Sequence, residues 1–396
     1  MATLRLEDFD VSADRGFLCK YEADEVSLPA SMKALEQAGD MLPDYTATGA
    51  CRTFLKQIPE LDVSELLSKG TDAQIRKAMV IYSFLVQSWV WGEKTPDAHL
   101  PRNLAVPFCQ IAKKLGQFPL LPYSGYVLDN WARIDKNGPI KLENIRMLQN
   151  FANGIDENWF VMVHVEIECE AGKALAAIPG ILDAIEKDDQ AAVTQGLKTI
   201  LSAWLNMNPS MDRMIDYCDP YIYFNRVRPY IHGWANNPGL PEGVFYEGVA
   251  EFNGKGQAFR GQTGSQSSIV PTMDALLNIA HKDDPLRQFL NELHAYRPVK
   301  HRQFIEAVAQ HSTLRDFVLK SGNAEMVELY NNIVQQISKF RSKHLEYAAN
   351  YINKQSSQVG NDADVGTGGT PFMRYLKKHR DESDDHLLPM PKAHAS

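Results

Sequence analysis

Apolar positions along this chain recur mostly at three- and four-residue steps. In "TDAQIRKAMVIYSFLVQSWVW" (71–91), "AAVTQGLKTILSAWLNM" (191–207) and "AEMVELYNNIVQQISKFRSKHLEYAANYI" (324–352) that spacing keeps one helical face apolar. Hairpin signals between alternating runs are sparse, so the chain reads as mostly α. The stretch "NWFVMVHVEIECE" (158–170) is ambiguous. "VHVEIECE" alternates as a half-buried strand would, yet it runs directly into "AGKALAAI", which favours helix. Helix is the expectation, with His164 inside an apolar run and its three following glutamates on a solvated or interdomain face.

Three polar segments interrupt the helices: "WANNPGLPEG" (234–243), "GKGQAFRGQTGSQSS" (254–268) and "NKQSSQVGNDADVGTGGTP" (353–371). Gly256 and Gly261 have the spacing of a phosphate-binding loop, but Gln262 stands where that motif needs lysine. The "GTGGT" cluster (366–370) lacks the motif too. A flexible closing loop is the expected role of such segments.

Length and composition narrow the class. At 396 residues two domains are expected, and a net charge of −8 argues against a general nucleic-acid partner. Five scattered cysteines contain no CxxC pair, so neither a disulfide framework nor a thiolate zinc site is suggested, and a reducing compartment fits best. The acidic start "MATLRLEDFDV" is unlike a signal peptide, and no window approaches the roughly 18 apolar residues of a membrane span. A cytoplasmic protein with no membrane partner is expected.

Two stretches carry candidate chemistry. In "ISKFRSKHLEYAANYI" the stripe Ile337, Phe340, His344, Tyr347, Tyr351 places an imidazole on an apolar helical face, as a proximal haem ligand would be, with Arg341 one turn earlier and able to reach a propionate. Taken alone, such a histidine is more often a hydrogen-bonded core residue. In "YIYFNRVRPYIHGW" (221–234), Arg226 and Arg228 stand among aromatics. That suits a site which stacks a planar ligand and grips a carboxylate, and equally an interdomain surface with snorkelling arginines. Two residues apart on a helix, only one of the pair can face a given site.

Taken in order, "RNLAVPFCQIAKKLGQFPLLPYSGYVLDNW" (102–131), "FNRVRPYIHGW" (224–234), "GSQSS" (264–268) followed by Asp274, "FRSKHL" (340–345) and "GTGGT" (366–370) resemble the indoleamine 2,3-dioxygenase family of haem enzymes. The resemblance covers most of the chain from about residue 100 onward. It implies an all-α fold with a smaller N-terminal domain (1–150) and a larger helical domain (151–396) that holds haem b, its iron bound by His344. Arg341 then pairs with Asp274 beside the haem, and Thr263 and Gly264 lie over a propionate and the substrate. Tyr123, Tyr126, Val127, Phe160 and Phe224 match distal-pocket positions, Arg228 the arginine that holds an amino acid's carboxylate, and Thr367 a threonine in a mobile loop (about 353–371) that closes over the ligand.

Two positions depart from the vertebrate pattern: His164 replaces a serine and Tyr223 a phenylalanine. Both make the pocket more polar, and a neutral His164 is expected to donate a hydrogen bond to O2 or near the indole N–H. The implied reaction takes L-tryptophan or a related indoleamine, with O2 as co-substrate and an external electron donor keeping iron ferrous. Both oxygen atoms enter across the indole C2=C3 bond, giving N-formylkynurenine, the first step of the kynurenine pathway. Two alternatives stay open: a haem oxygenase of secondary metabolism acting on another indole, and a non-catalytic O2-binding or sensing haem protein.

Overall fold

A computed structural model describes residues 4–46, 48–280, 285–355 and 372–391. The longer helices are α1 (Lys33–Thr46), α2 (Asp72–Trp91), α3 (Arg102–Leu115), α4 (Ile155–Glu186), α5 (Gln190–Asp212), α6 (Ile269–Leu276), α7 (Pro285–His294), α8 (Val299–His311), α9 (Ala324–Ala348) and α10 (Phe372–Asp384). Among the described residues β-structure is confined to two small pairings. β1 (His99–Leu100) runs parallel to β4 (Phe245–Tyr246), and β2 (Trp131–Arg133) antiparallel to β3 (Ile145–Met147). The all-α expectation holds.

Helix starts follow local chemistry. Thr71 opens α2 with a capping box, its hydroxyl accepting from the Gln74 N–H while the Gln74 side chain returns to Thr71 N–H. Asp189 caps α5 by accepting from Ala192 N–H, and Asn323 caps α9 by accepting from Glu325 and Met326 N–H. The stretch around His164 lies wholly inside α4, a 32-residue helix. Alternation lost to the helical propensity of the alanine-rich continuation and to packing of α4 along the length of α5.

α9 packs against α5 and α10, while α2 packs against α1 and α3. The boundary expected at residue 150 falls in the irregular segment between β3 and α4. Buried apolar side chains cross it as one cluster, from Val11 to Leu388. No helix among the described residues is long and apolar enough to cross a membrane. All five cysteines are unpaired.

Candidate active site

A cavity of about 640 Å³ opens between α4, α9 and the 264–271 segment. That volume lies within the ~300–1,000 Å³ typical of pockets that bury a sizeable organic ligand. His164 and Glu168 enter it from α4, His344 and Arg341 from α9. Each pair is spaced for one helical face.

Both imidazoles are held neutral. Burial pulls His344 down to about 4, helped by its proximity to His164, and burial pulls His164 down as well. His164 Nδ1 lies 2.7 Å from the Phe160 carbonyl oxygen. A carbonyl only accepts, so Nδ1 carries the proton and Nε2 of the neutral ring is an acceptor. The expected donor role of neutral His164 is therefore corrected: the helix's own backbone has taken the donor. Gly264 lies against His344, since a Cβ built there would come within 3.7 Å of His344 Cε1.

Arg341 donates to Asp274 at 2.6 Å and also to Ser383 Oγ. This is the pairing expected from the sequence, and it is mostly buried. On the α4 side, one Glu168 carboxylate oxygen accepts from Tyr123 Oη at 2.9 Å and from Ser267 Oγ at 2.7 Å. The other oxygen is buried without a partner among the described residues. Burial pushes the carboxyl up to about 7, against the two hydroxyl donors.

The glutamates are thus not a solvated face. Glu168 lines the cavity, and Glu166 is buried where it accepts from Ser210 Oγ and Leu142 N–H. Glu170 pairs with Lys141. The helix buries both sides of the 158–170 stretch, so the polar positions needed internal partners rather than water.

Beside His164 lies an aromatic cluster. The Phe160 ring is 4.7 Å from His164, 4.8 Å from Tyr223 and 6.3 Å from Tyr126. Tyr126 and Val127 sit in a π turn at Ser124–Leu128, and Tyr223 and Phe224 in another at Tyr223–Val227. Such widened turns recur at functional sites because they re-aim side chains. Arg228 is 1% exposed and its guanidinium lies 5.4 Å from the Phe224 ring centre, whereas Arg226 is exposed. That separates the two arginines.

The profile of the family described as "Indoleamine 2,3-dioxygenase" matches residues 5–386. The chain belongs to that family. Indoleamine 2,3-dioxygenase 1 of Rattus norvegicus is 33% identical, over 98% of this chain and 96% of the relative. Indoleamine 2,3-dioxygenase 2 of Homo sapiens is 30% identical over 97% of this chain and 96% of its own length. Indoleamine 2,3-dioxygenase of Saccharomyces cerevisiae is 28% identical over 96% of this chain and 92% of the relative.

Indoleamine 2,3-dioxygenases are haem-dependent oxidoreductases that use O2, and the cavity's own residues fit a haem. Among the described residues no group of three or more His, Cys, Asp or Glu could hold a bare metal ion. A lone neutral imidazole such as His344 instead suits a metal that arrives already chelated. The buried guanidinium groups of Arg341 and Arg297 on the wall suit a ligand that carries carboxylates.

Of the residues expected for an indoleamine 2,3-dioxygenase site, Tyr123, His164, Gly264, Asp274, Arg341 and His344 line this cavity. Tyr126, Phe160, Tyr223, Phe224 and Arg228 form the adjoining cluster. Thr263 caps the short turn Gly264–Gln266 by accepting from Ser265 N–H. Thr367 and the "GTGGT" run lie outside the described residues. The 254–268 segment is not the flexible loop expected of it. Gln262, Gln266 and Ser268 are buried, and Gln266 accepts from Tyr123 N–H while donating to the Gly261 carbonyl.

Sequence reasoning missed Glu168, Ser267 and Arg297. Glu168 had a usable signal, its i+4 spacing from His164. Arg297 had none, because it precedes α8 in an irregular stretch where periodicity says nothing about burial.

Proposed function

We propose that the protein cleaves the indole ring of L-tryptophan oxidatively, inserting both atoms of O2 across C2=C3 to give N-formylkynurenine, with haem b as cofactor. The observation that carries this reading is the pair of neutral imidazoles, His344 and His164, opening onto one cavity in a chain of this family. Haem, when bound and kept ferrous by an external electron donor, supplies the activation of O2.

The chain's own residues supply ligation, orientation and exclusion of water. His344, neutral and without a hydrogen bond among the described residues, offers its lone pair to iron. His164 offers Nε2 as an acceptor for the indole N–H, the tautomer its bond to Phe160 enforces. Phe160, Tyr126, Val127, Tyr223 and Phe224 form the apolar wall for the ring. Arg228, buried over Phe224, supplies the carboxylate grip. Thr263, Gly264 and the Arg341–Asp274 pair frame the propionate side. A second reading, oxidation of another indole with one oxygen inserted, draws on the Tyr223 hydroxyl and His164 imidazole beside Phe160, which favour a more polar ring.

The test is the absorption spectrum of purified protein with and without CO, followed by tryptophan consumption under labelled O2. The expected result is a haem Soret band and two labelled oxygens per product. One labelled oxygen would favour the second reading. A stable oxygenated spectrum with no tryptophan consumed would make the protein an O2 carrier. Loss of the Soret band after haem supplementation would overturn the haem reading itself.

A further inference from the structure

Among the described residues, one cation on the cavity wall has no counter-charge. Arg297 is 3% exposed and lines the cavity beside Ser265, Ser267 and His294. Its Nε donates to the Ser267 carbonyl at 3.2 Å and one terminal nitrogen to the Ser265 carbonyl at 2.7 Å, while the other lies 3.3 Å from His294 Nδ1. No carboxylate pairs with it among the described residues.

The other charges of the cavity are settled differently. Arg341 is neutralised by Asp274, His164 and His344 are neutral, and Glu168 is held by hydroxyl donors. A buried guanidinium without an anion is costly, and carbonyl dipoles offset that cost only in part. Three of its five N–H groups are occupied by these contacts. Burial alone, with no acid raising it, pulls the guanidinium down to about 10, so it stays charged at neutral pH.

We propose that Arg297 anchors a carboxylate of the group that fills this cavity, namely a haem propionate, and so sets how firmly the cofactor is held. The proposal rests on the haem reading above. The substrate's carboxylate is the other source of the same chemistry, but Arg228 already stands for it in the aromatic cluster. Arg297 shares its wall with Arg341, Asp274 and the 264–267 turn, on which its two carbonyl contacts also fix the backbone.

The experiment measures haem loss from ferric wild type, Arg297→Gln and Arg297→Lys to excess apomyoglobin, using haemin and haemin dimethyl ester. Removing a charge-assisted pair should speed loss of haemin about tenfold to a hundredfold in R297Q, with R297K between. Wild type should release the ester faster than haemin, and R297Q should narrow that difference, since Arg341 remains on the wall. Soret titrations with tryptophan and with tryptamine, which lacks the carboxylate, form the second arm.

Unchanged haem loss with weakened tryptophan but not tryptamine binding would assign the carboxylate to the substrate and overturn the cofactor anchor. Unchanged behaviour in both arms would overturn the site altogether, while leaving the haem reading intact. Wild type that takes up no haemin would overturn both. Should R297Q fail to fold, the comparison of R297K with wild type on the two haemins carries the same decision.

Discussion

α4 and α9 each send a histidine into the same cavity, and they treat buried charge in opposite ways. On α9 the charged neighbour of the histidine, Arg341, is closed off by Asp274 at 2.6 Å and by Ser383. On α4 the neighbour, Glu168, keeps one oxygen without a partner among the described residues and has its carboxyl pushed up to about 7. The α9 wall is a fixed frame around an imidazole with an open lone pair. The α4 wall is a titratable surface around an imidazole whose proton is already committed to Phe160. Ligation needs the first kind of wall, and handling a polar substrate group suits the second.

The comparison breaks most completely at His344. His344→Ala removes the only lone pair proposed for iron, so the variant is expected to show no stable Soret band and no tryptophan turnover. Exogenous imidazole should restore part of the band. A variant that retained haem with wild-type affinity would mean that His164 is the ligand and that the two walls have been read the wrong way round.

Next comes the frame itself. Asp274→Ala strands a mostly buried guanidinium, and removing one partner of such a pair costs about 3–5 kcal/mol. Chemical denaturation should show a lower midpoint for D274A with an unchanged slope. Asp274→Asn, which keeps an acceptor, should lie between. A midpoint equal to wild type would show that Ser383 and the backbone suffice to hold Arg341.

Glu168→Gln probes the other wall through pH. Between the ordinary carboxyl range and pH 7 the unfolded chain has released this proton and the folded chain still holds it, so stability falls as pH rises through that window and levels off above it. The folded-state shift, from 4.5 to about 7, corresponds to roughly 3 kcal/mol lost by pH 8. Glu157, also raised to about 7 by burial, contributes a similar slope, which the variant leaves in place. E168Q should therefore gain on wild type in melting temperature at pH 8 and much less at pH 5. An equal gap at the two pH values would remove the titratable character claimed for this wall.

What the sequence disclosed follows the same division. On the α9 wall the stripe Ile337, Phe340, His344 marked an apolar helical face, and the resemblance to indoleamine 2,3-dioxygenases implied the Arg341–Asp274 pair that the structure shows. The α4 wall was not legible, because the alternation of "VHVEIECE" suggests one solvated face, whereas a helix packed along α5 and against the 264–271 segment buries Glu166 and Glu168 through partners up to 99 residues away. Burial of a charge is decided by such distant donors, which local pattern does not contain. Arg228 and Arg226 show the intermediate case. Spacing said that only one could share a given face, and the structure buries Arg228 beside Phe224 while leaving Arg226 exposed.

The smallest expected effect is at His164. His164→Ala removes an acceptor and a ring that packs on Phe160 and lies 6.2 Å from Tyr123, but it touches neither the proposed iron ligand's frame nor Arg297. Haem should therefore stay bound with an unchanged loss rate, while turnover falls about tenfold, the worth of one hydrogen bond of about 1 kcal/mol or slightly more. The tautomer makes a sharper demand. If Nε2 accepts from the indole N–H, then 1-methyltryptophan, which has no N–H to give, should gain nothing from the imidazole, and H164A should process it about as well as wild type does. A tenfold loss on both substrates would mean that His164 works as packing or through its protonated form. It would then be a structural neighbour of the α4 wall rather than the group that reads the indole nitrogen.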